Sequence, residues 1–487
     1  MSAPILIAVG GSGQHTMLAY LRLARLCNLV PARLMTIDAD LRQGEANQPT
    51  TASLIERQAR VGFRDKVAWE PVRPLPEVND TQAQTFESLL RPAPGSESEV
   101  FSALFSPRQR EVKVVTGFHG HPAVAASTFR MFIGDDGEAG LSKLFNEWLS
   151  PEGDLRIVVA GSTFGGTGSG VMPVLTSSIK SWCKKRDRKL RLGGVIQVRW
   201  FDLGLPDQVA SEDQERVDVT SHDLERNSSC LVEYYRRNLE NMFHHAFLLG
   251  HFPHASRRST GVEQQPEHPH AVNLLSGYVA YQLLHGEEYA DTTGLLGLVT
   301  PDGSLEQHLN FPFGPSRRLQ PLSRHIEATA AEIAVDQAVL NVLFAGQASA
   351  LDVVEPYPPF LPELVRQSQG FFSGPDSRRT EPASTWSEFL EMQKEAMRWL
   401  AEVRDNSFDI QACQFPEALV PPLRDVGKLQ VHEPHLLGPL HDAFRRILKK
   451  VRPTEYGDDP AAVIRRSFYT VRQELENYLE DKLRRAQ

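Results

Sequence analysis

Residues 155–170 constrain the fold more than any other stretch of this chain. Leu155-Arg156-Ile157-Val158-Val159-Ala160 is an apolar run of strand length. It passes without a break into Gly161-Ser162-Thr163-Phe164-Gly165-Gly166-Thr167-Gly168-Ser169-Gly170. An apolar run without polar alternation is what a strand buried on both faces of a parallel sheet carries. Val171 to Lys184 then reads as a helix. The same order of signals opens the chain. Ile5 to Val9 is apolar, Gly10-Gly11-Ser12-Gly13 breaks it, and a helix with Met17, Leu18, Tyr20, Leu21, Leu23 and Leu26 on one face follows. Arg33 to Ile37 is a second strand, closing on Asp38-Ala39-Asp40. Strand, glycine turn, helix and a strand ending in an acid predict an α/β domain with a Rossmann-like parallel sheet.

Leu190 to Phe201 and Phe247 to Gly250 supply further strands, with a helix between them over Asp223 to Met242. A long helix is expected from His270 to Leu284. The stretch 43–111 is polar and proline-rich, and reads as an insertion with some helix. Beyond Gly286 come a strand at Thr293–Thr300, a proline-rich loop over Glu355–Pro382 and an amphipathic helix over Ala461–Ala486. The 487 residues exceed the ~100–200 of an ordinary domain, so more than one unit is expected. Charge narrows the function classes. Lys+Arg 52 against Asp+Glu 61 leaves a net charge of -9, which disfavours nucleic acid or anionic lipid as the principal ligand. The apolar run Ile5–Val9 is too short for membrane insertion or a signal-peptide core. The four cysteines are widely spaced, against a disulfide framework or zinc ribbon, so a cytoplasmic location is expected.

Glycine-rich turns at strand ends let backbone N–H groups crowd around an anion, and the following helix adds its positive end. Four glycines in the six residues Gly165–Gly170, interleaved with Thr167 and Ser169, exceed what a tight turn needs and point to phosphate. A P-loop would place Lys after Gly170, where Val171 stands. The dinucleotide fingerprint would need a third glycine after Gly11-Ser12-Gly13, where Gln14, His15 and Thr16 stand. Six histidines between His244 and His270 carry no metal-ligand spacing. The basic run from Lys180 to Arg191 reads as a solvated helix end, or as a contact with a neighbouring subunit.

Gly165-Gly166-Thr167-Gly168-Ser169-Gly170 with Pro173 resembles the signature loop of the tubulin/FtsZ superfamily. Val9-Gly10-Gly11-Ser12-Gly13-Gln14 is similar to its first phosphate-side loop, with Gln14 where Asn is usual. Ile37-Asp38-Ala39-Asp40 is similar to its second loop. Gly117-Phe118-His119-Gly120-His121-Pro122-Ala123-Val124 resembles its third, with His121 in place of Asn. Asn273, near the start of the long helix, matches the family's base-reading Asn. Gly286-Glu287-Glu288-Tyr289-Ala290-Asp291 matches its catalytic loop, with Gly286 for Asn and Glu288 for the first acid. The four phosphate-side pieces occur in the family's order.

The resemblance implies a divergent prokaryotic tubulin-like protein. Its nucleotide domain would span 1–265, its central helix 266–285 and an α+β C-terminal domain with a helical end 286–487. It implies that Gly10, Gly11, Ser12, Gly13, Gln14, Asp38, Asp40, Gly120, Gly165, Gly166, Thr167, Gly168, Ser169 and Asn273 bind GTP or GDP. Mg2+ would sit near Asp40 through water. Glu288 and Asp291 would act on the nucleotide of the next subunit in a head-to-tail polymer, with an adaptor protein as a second kind of partner. Two alternatives stay open on the residues themselves. One is a nucleotide-gated interaction module without hydrolysis, as in a plasmid, phage or defence system. The other is a Rossmann-like dehydrogenase binding NAD.

Overall fold

A computed structural model describes residues 4–26, 32–39, 50–62, 67–75, 85–90, 95–114, 117–118, 120–134, 144, 154–203, 220–250, 255–257, 269–285 and 294–295, and Glu395, Arg398, Trp399, Glu402 and Val403. The chain divides into two compact units, Met1–Pro315 with Asn406–Gln411, and Ser316–Asp405 with Ala412–Gln487. In the second unit the described residues are helical, with Trp399 and Val403 buried one turn apart. The expected C-terminal helix and the proline-rich loop lie outside the described residues, and so does most of the strand expected at Thr293–Thr300.

The first unit is built on a parallel sheet. Its strands are β1 (Ile5–Val9), β2 (Arg33–Ile37), β3 (Trp69–Val72), β4 (Leu155–Ser162), β5 (Leu190–Gln197), β7 (His245–Leu249) and β9 (Gly294–Leu295), in the order β3-β2-β1-β4-β5-β7-β9. Two short strands, β6 (Phe201–Leu203) and β8 (Ala255–Arg257), pair separately. Every residue of β1 is buried, as its unbroken apolar sequence requires. Successive side chains feed opposite faces. Ile5, Ile7 and Val9 join a core with Val124, Phe129, Val171, Leu175 and Leu239. Leu6 and Ala8 join another with Met17, Leu18, Tyr20, Val279 and Leu283.

The first core receives α6 (Pro122–Ile133), α7 (Gly166–Lys185) and α8 (Ser221–Met242). The second receives α1 (Gly10–Leu26) and α9 (Ala271–His285). The remaining helices lie in the polar stretch: α2 (Thr51–Arg57), α3 (Phe86–Leu90), α4 (Ser96–Leu104) and α5 (Pro107–Arg110). α1 leads from β1 to β2 on one side, whereas β4 lies on the other side of β1. The order therefore reverses between β1 and β4. In an open parallel sheet that reversal opens a crevice beyond the carboxyl ends of the strands, the usual ligand position.

Two sequence expectations change in detail. The glycine turns are not separate loops: Gly10 and Gly166 already begin their helices, and the chain swings from β1 into α1 at Gly10 with φ +69°. The stretch 43–111 is also more than an insertion, because Trp69–Val72 forms the edge strand beside β2. Its Trp-Glu-Pro-Val sequence lacks a strand signature, and Pro71 is tolerated only because the position is at an edge.

Candidate functional site

The carboxyl ends of β1, β2 and β4 bring three distant turns together. A Cβ built on Gly10 would lie 2.9 Å from the Gly168 nitrogen and 3.1 Å from the Thr167 Cβ, so the first and last turns abut. On Gly166 it would lie 2.9 Å from the Phe118 Cβ and 3.0 Å from the Gly120 nitrogen, which brings in the third. On Gly168 it would meet the Ser162 nitrogen at 2.9 Å. These glycines are set by backbone touching backbone. Gly13 has the same reason, its Cβ position being 2.5 Å from the Ala160 carbonyl oxygen under α1. Gly11 does not. It is exposed, and beyond its own helix backbone and chain neighbours a Cβ there would meet nothing within 4 Å.

Asp38, at the end of β2, ties the turns with its carboxylate. Gln14 Nε2 donates to Oδ2 at 2.8 Å and Thr167 Oγ1 donates to Oδ1 at 3.1 Å, with all three residues buried. Asp38 thus joins α1 to α7 across the switch point. The Ser169 hydroxyl, expected at a phosphate, donates inward to the carbonyls of Gly165 and Gly166 and is buried. The groups left at the surface of the first and last turns are Gly11, Ser12 and Gly165, the last two partly exposed.

Asn273 lies in the first turn of α9 and is buried beside the end of β5. Gln197 Nε2 reaches the Asn273 Oδ1 at 3.2 Å, the Thr16 Oγ1 at 3.2 Å and the Ser276 Oγ at 3.3 Å, while Gln197 Oε1 accepts from Trp200 Nε1 at 3.2 Å. Thr16 is one turn past Ser12 and donates to its carbonyl at 3.1 Å. This buried polar network links Asn273 to α1. Sequence reasoning singled out Asn273 and missed Gln197, whose polar side chain at the end of an apolar strand was the available signal.

The electrostatics favour an anion. α6 and α7 start without a side-chain hydrogen bond at their caps, and α1 follows Val9, which has no polar side-chain atom. None of the three has an acid in its first turn. Of the other helices, α4 also starts without a side-chain cap but carries Glu97 and Glu99 in its first turn, whereas Thr50, Ser106 and Thr220 accept from the first turns of α2, α5 and α8, and His270 Nδ1 accepts from the Val272 N–H. Three helix starts with N–H groups uncapped by side chains therefore gather at the switch point, each carrying a partial positive charge.

Asp40, Glu288 and Asp291 lie outside the described residues, as do His119 and the rest of the Gly286–Asp291 segment. Among the described residues no group of three or more His, Cys, Asp or Glu side chains could hold a metal ion, and no helix is long and apolar enough to cross a membrane. No protein-family model matches the chain, and no curated protein matches it either.

Proposed function

We propose that this is a tubulin/FtsZ-like protein that binds GTP or GDP at the β1–β4 switch point. In that reading it hydrolyses GTP where a second copy stacks head to tail, and assembles into filaments. One observation carries the binding half: the Gly10 and Gly165–Gly170 turns, 155 or more residues apart in sequence, abut beside helix starts that lack side-chain caps. In this reading the phosphate oxygens lie against the starts of α1 and α7, where exposed Gly11 and partly exposed Ser12 and Gly165 are the backbone that meets them. Asp38 positions Thr167 and Gln14, and Asn273 is the base reader. Mg2+, a hard cation with oxygen ligands, would be held chiefly by the phosphates, with Asp40 reaching it through water, and would supply charge neutralisation there. The hydrolytic half rests on the resemblance of Gly286–Asp291 to the family's catalytic loop.

Isothermal titration with GTP, GDP and NAD tests the binding half. GTP and GDP binding at micromolar concentration, with NAD unbound, is the expected result. NAD bound in preference to GTP overturns the reading and restores the dehydrogenase alternative.

A further inference from the structure

We propose that Asn227 is a positioning residue of this nucleotide site, fixing the spacing between the third turn and the glycine hexapeptide and so the length of phosphate chain the site accepts. The inference rests on the nucleotide reading above. Asn227 lies on α8, which carries none of the motif residues. Its Nδ2 donates to the Gly120 carbonyl at 2.7 Å and to the Phe164 carbonyl at 3.3 Å. One amide nitrogen has two hydrogens, so a single side chain can serve both carbonyls, and no other orientation of the amide does so. Gly120 belongs to the third turn; Phe164 immediately precedes Gly165. The residue is 7% exposed, so the bonds are shielded from water.

The neighbouring residues hold α8 in place. The Ser228 hydroxyl lies 2.7 Å from Thr163 Oγ1, and Arg199 pairs with Glu225 at 3.3 Å and with Asp202. α8 is thereby anchored to the ends of β4 and β5, and Asn227 extends that anchorage to the third turn.

The three helix starts are not equivalent. Those of α1 and α7 touch directly, through Gly10 and Gly168, and form one anion cradle. The start of α6 meets α7 at two places, Pro122 and Ala125 against Gly170 and, nearer the crevice, Gly120 against Gly166, the joint that Asn227 holds. A phosphate seated on α1 and α7 would not need α6. A longer phosphate chain reaches it, so a shift of the third turn should penalise the triphosphate more than the diphosphate.

Two measurements on Asn227→Asp and Asn227→Ala test this, with Ser228→Ala as a control on the same helix. Asp keeps the shape but sets a carboxylate oxygen against two carbonyls; Ala removes the donor. In nucleotide-free protein, amide exchange over residues 117–121 and 164–168 should accelerate about tenfold in both Asn227 variants. GTP affinity should weaken about tenfold and GDP affinity less than about threefold. Ser228→Ala should leave the GTP:GDP ratio unchanged. GTP and GDP weakened equally, or exchange unchanged at both segments, overturns the proposal while leaving the nucleotide reading intact. Wild-type protein that binds neither nucleotide overturns that reading and this proposal with it, whatever the exchange shows.

Discussion

At the scale of single residues, the glycines divide into two kinds that sequence alone treats as one. Gly13 is glycine because the Ala160 carbonyl lies 2.5 Å from where its Cβ would be. Gly11 has open space around it, so protein packing gives no reason for glycine there, and a close ligand does. Substitution to alanine should therefore separate fold from function. Gly13→Ala should cost about 3 kcal/mol or more, because the clash is with backbone that cannot turn away. Gly11→Ala should leave the denaturation midpoint unchanged or slightly raised, since alanine is the better helix former. The same variant should weaken GTP binding about tenfold by setting a methyl group before the phosphate. Calorimetric titration beside chemical denaturation measures both. Equal GTP affinity in Gly11→Ala would mean that the exposed start of α1 meets no ligand.

Between elements, the contact of α1 with α9 spans the height of the sheet. Gly277 lies against Ala19 and Tyr20, closer than any Cβ would allow. At the far end Tyr20 Oη lies 2.9 Å from His285 Nε2 and also accepts from the Ala32 N–H at 2.6 Å. The Arg156 guanidinium donates to the Leu284 carbonyl at 2.8 Å. Burial, with the nearby Arg156 charge, pushes the His285 imidazole down to about 4. The unfolded chain therefore takes up a proton near its ordinary 6.5 while the folded chain does not. The stability from neutral His285 is whole above about pH 6.5 and is lost as pH falls towards 4. Allowing for the partial exposure of His285, the loss is about 2 kcal/mol. Urea midpoints of wild type and His285→Asn at pH 7 and pH 4.5 check the sign. Wild type should fall further than the variant, and parallel lines would remove His285 from the account. Elements of this kind were legible where burial is uniform: β1, β4 and β5 announce themselves by apolar runs, and the glycines after β1 and β4 mark the helix starts. The edge strand Trp69–Val72 was not legible, because an edge needs little apolar sequence and tolerates Pro71. The Asn227 bonds were not legible either. A buried Asn on an amphipathic helix looks like its exposed neighbours, and Gly120 is 107 residues away.

For the whole molecule, the direction of α9 decides where the proposed hydrolysis could occur. Asn273, at its start, meets Gln197 at the carboxyl end of β5, and Leu284, at its finish, meets Arg156 at the opposite end of β4. The 15 residues of α9 span about 22 Å at the helical rise. Glu288 follows His285 by three residues, which extend at most about 11 Å. On that chain-length bound its carboxylate would fall short of the proposed phosphate site of its own chain, whereas acid–base catalysis needs contact within about 3 Å, directly or through one water. Any hydrolysis using Glu288 must therefore act on the nucleotide of another copy. That dictates the kinetics. Turnover per molecule should rise with protein concentration and level off when subunits are assembled, whereas a self-contained site would turn over at a constant rate. Glu288→Ala should reduce turnover at least a hundredfold while GTP binding survives, since the lost group orients water and does not hold phosphate. Mixing Glu288→Ala with a binding-deficient partner such as Gly11→Glu, which sets a carboxylate at an open position before the phosphate, sharpens the test. Within a mixed stack each Gly11→Glu subunit can lend its intact acid to the nucleotide of a Glu288→Ala neighbour, so activity should return although neither variant turns over alone. Silence in the mixture, or wild-type turnover that ignores concentration, would leave the crevice as a nucleotide-gated binding site and transfer the acids of Gly286–Asp291 to some other task.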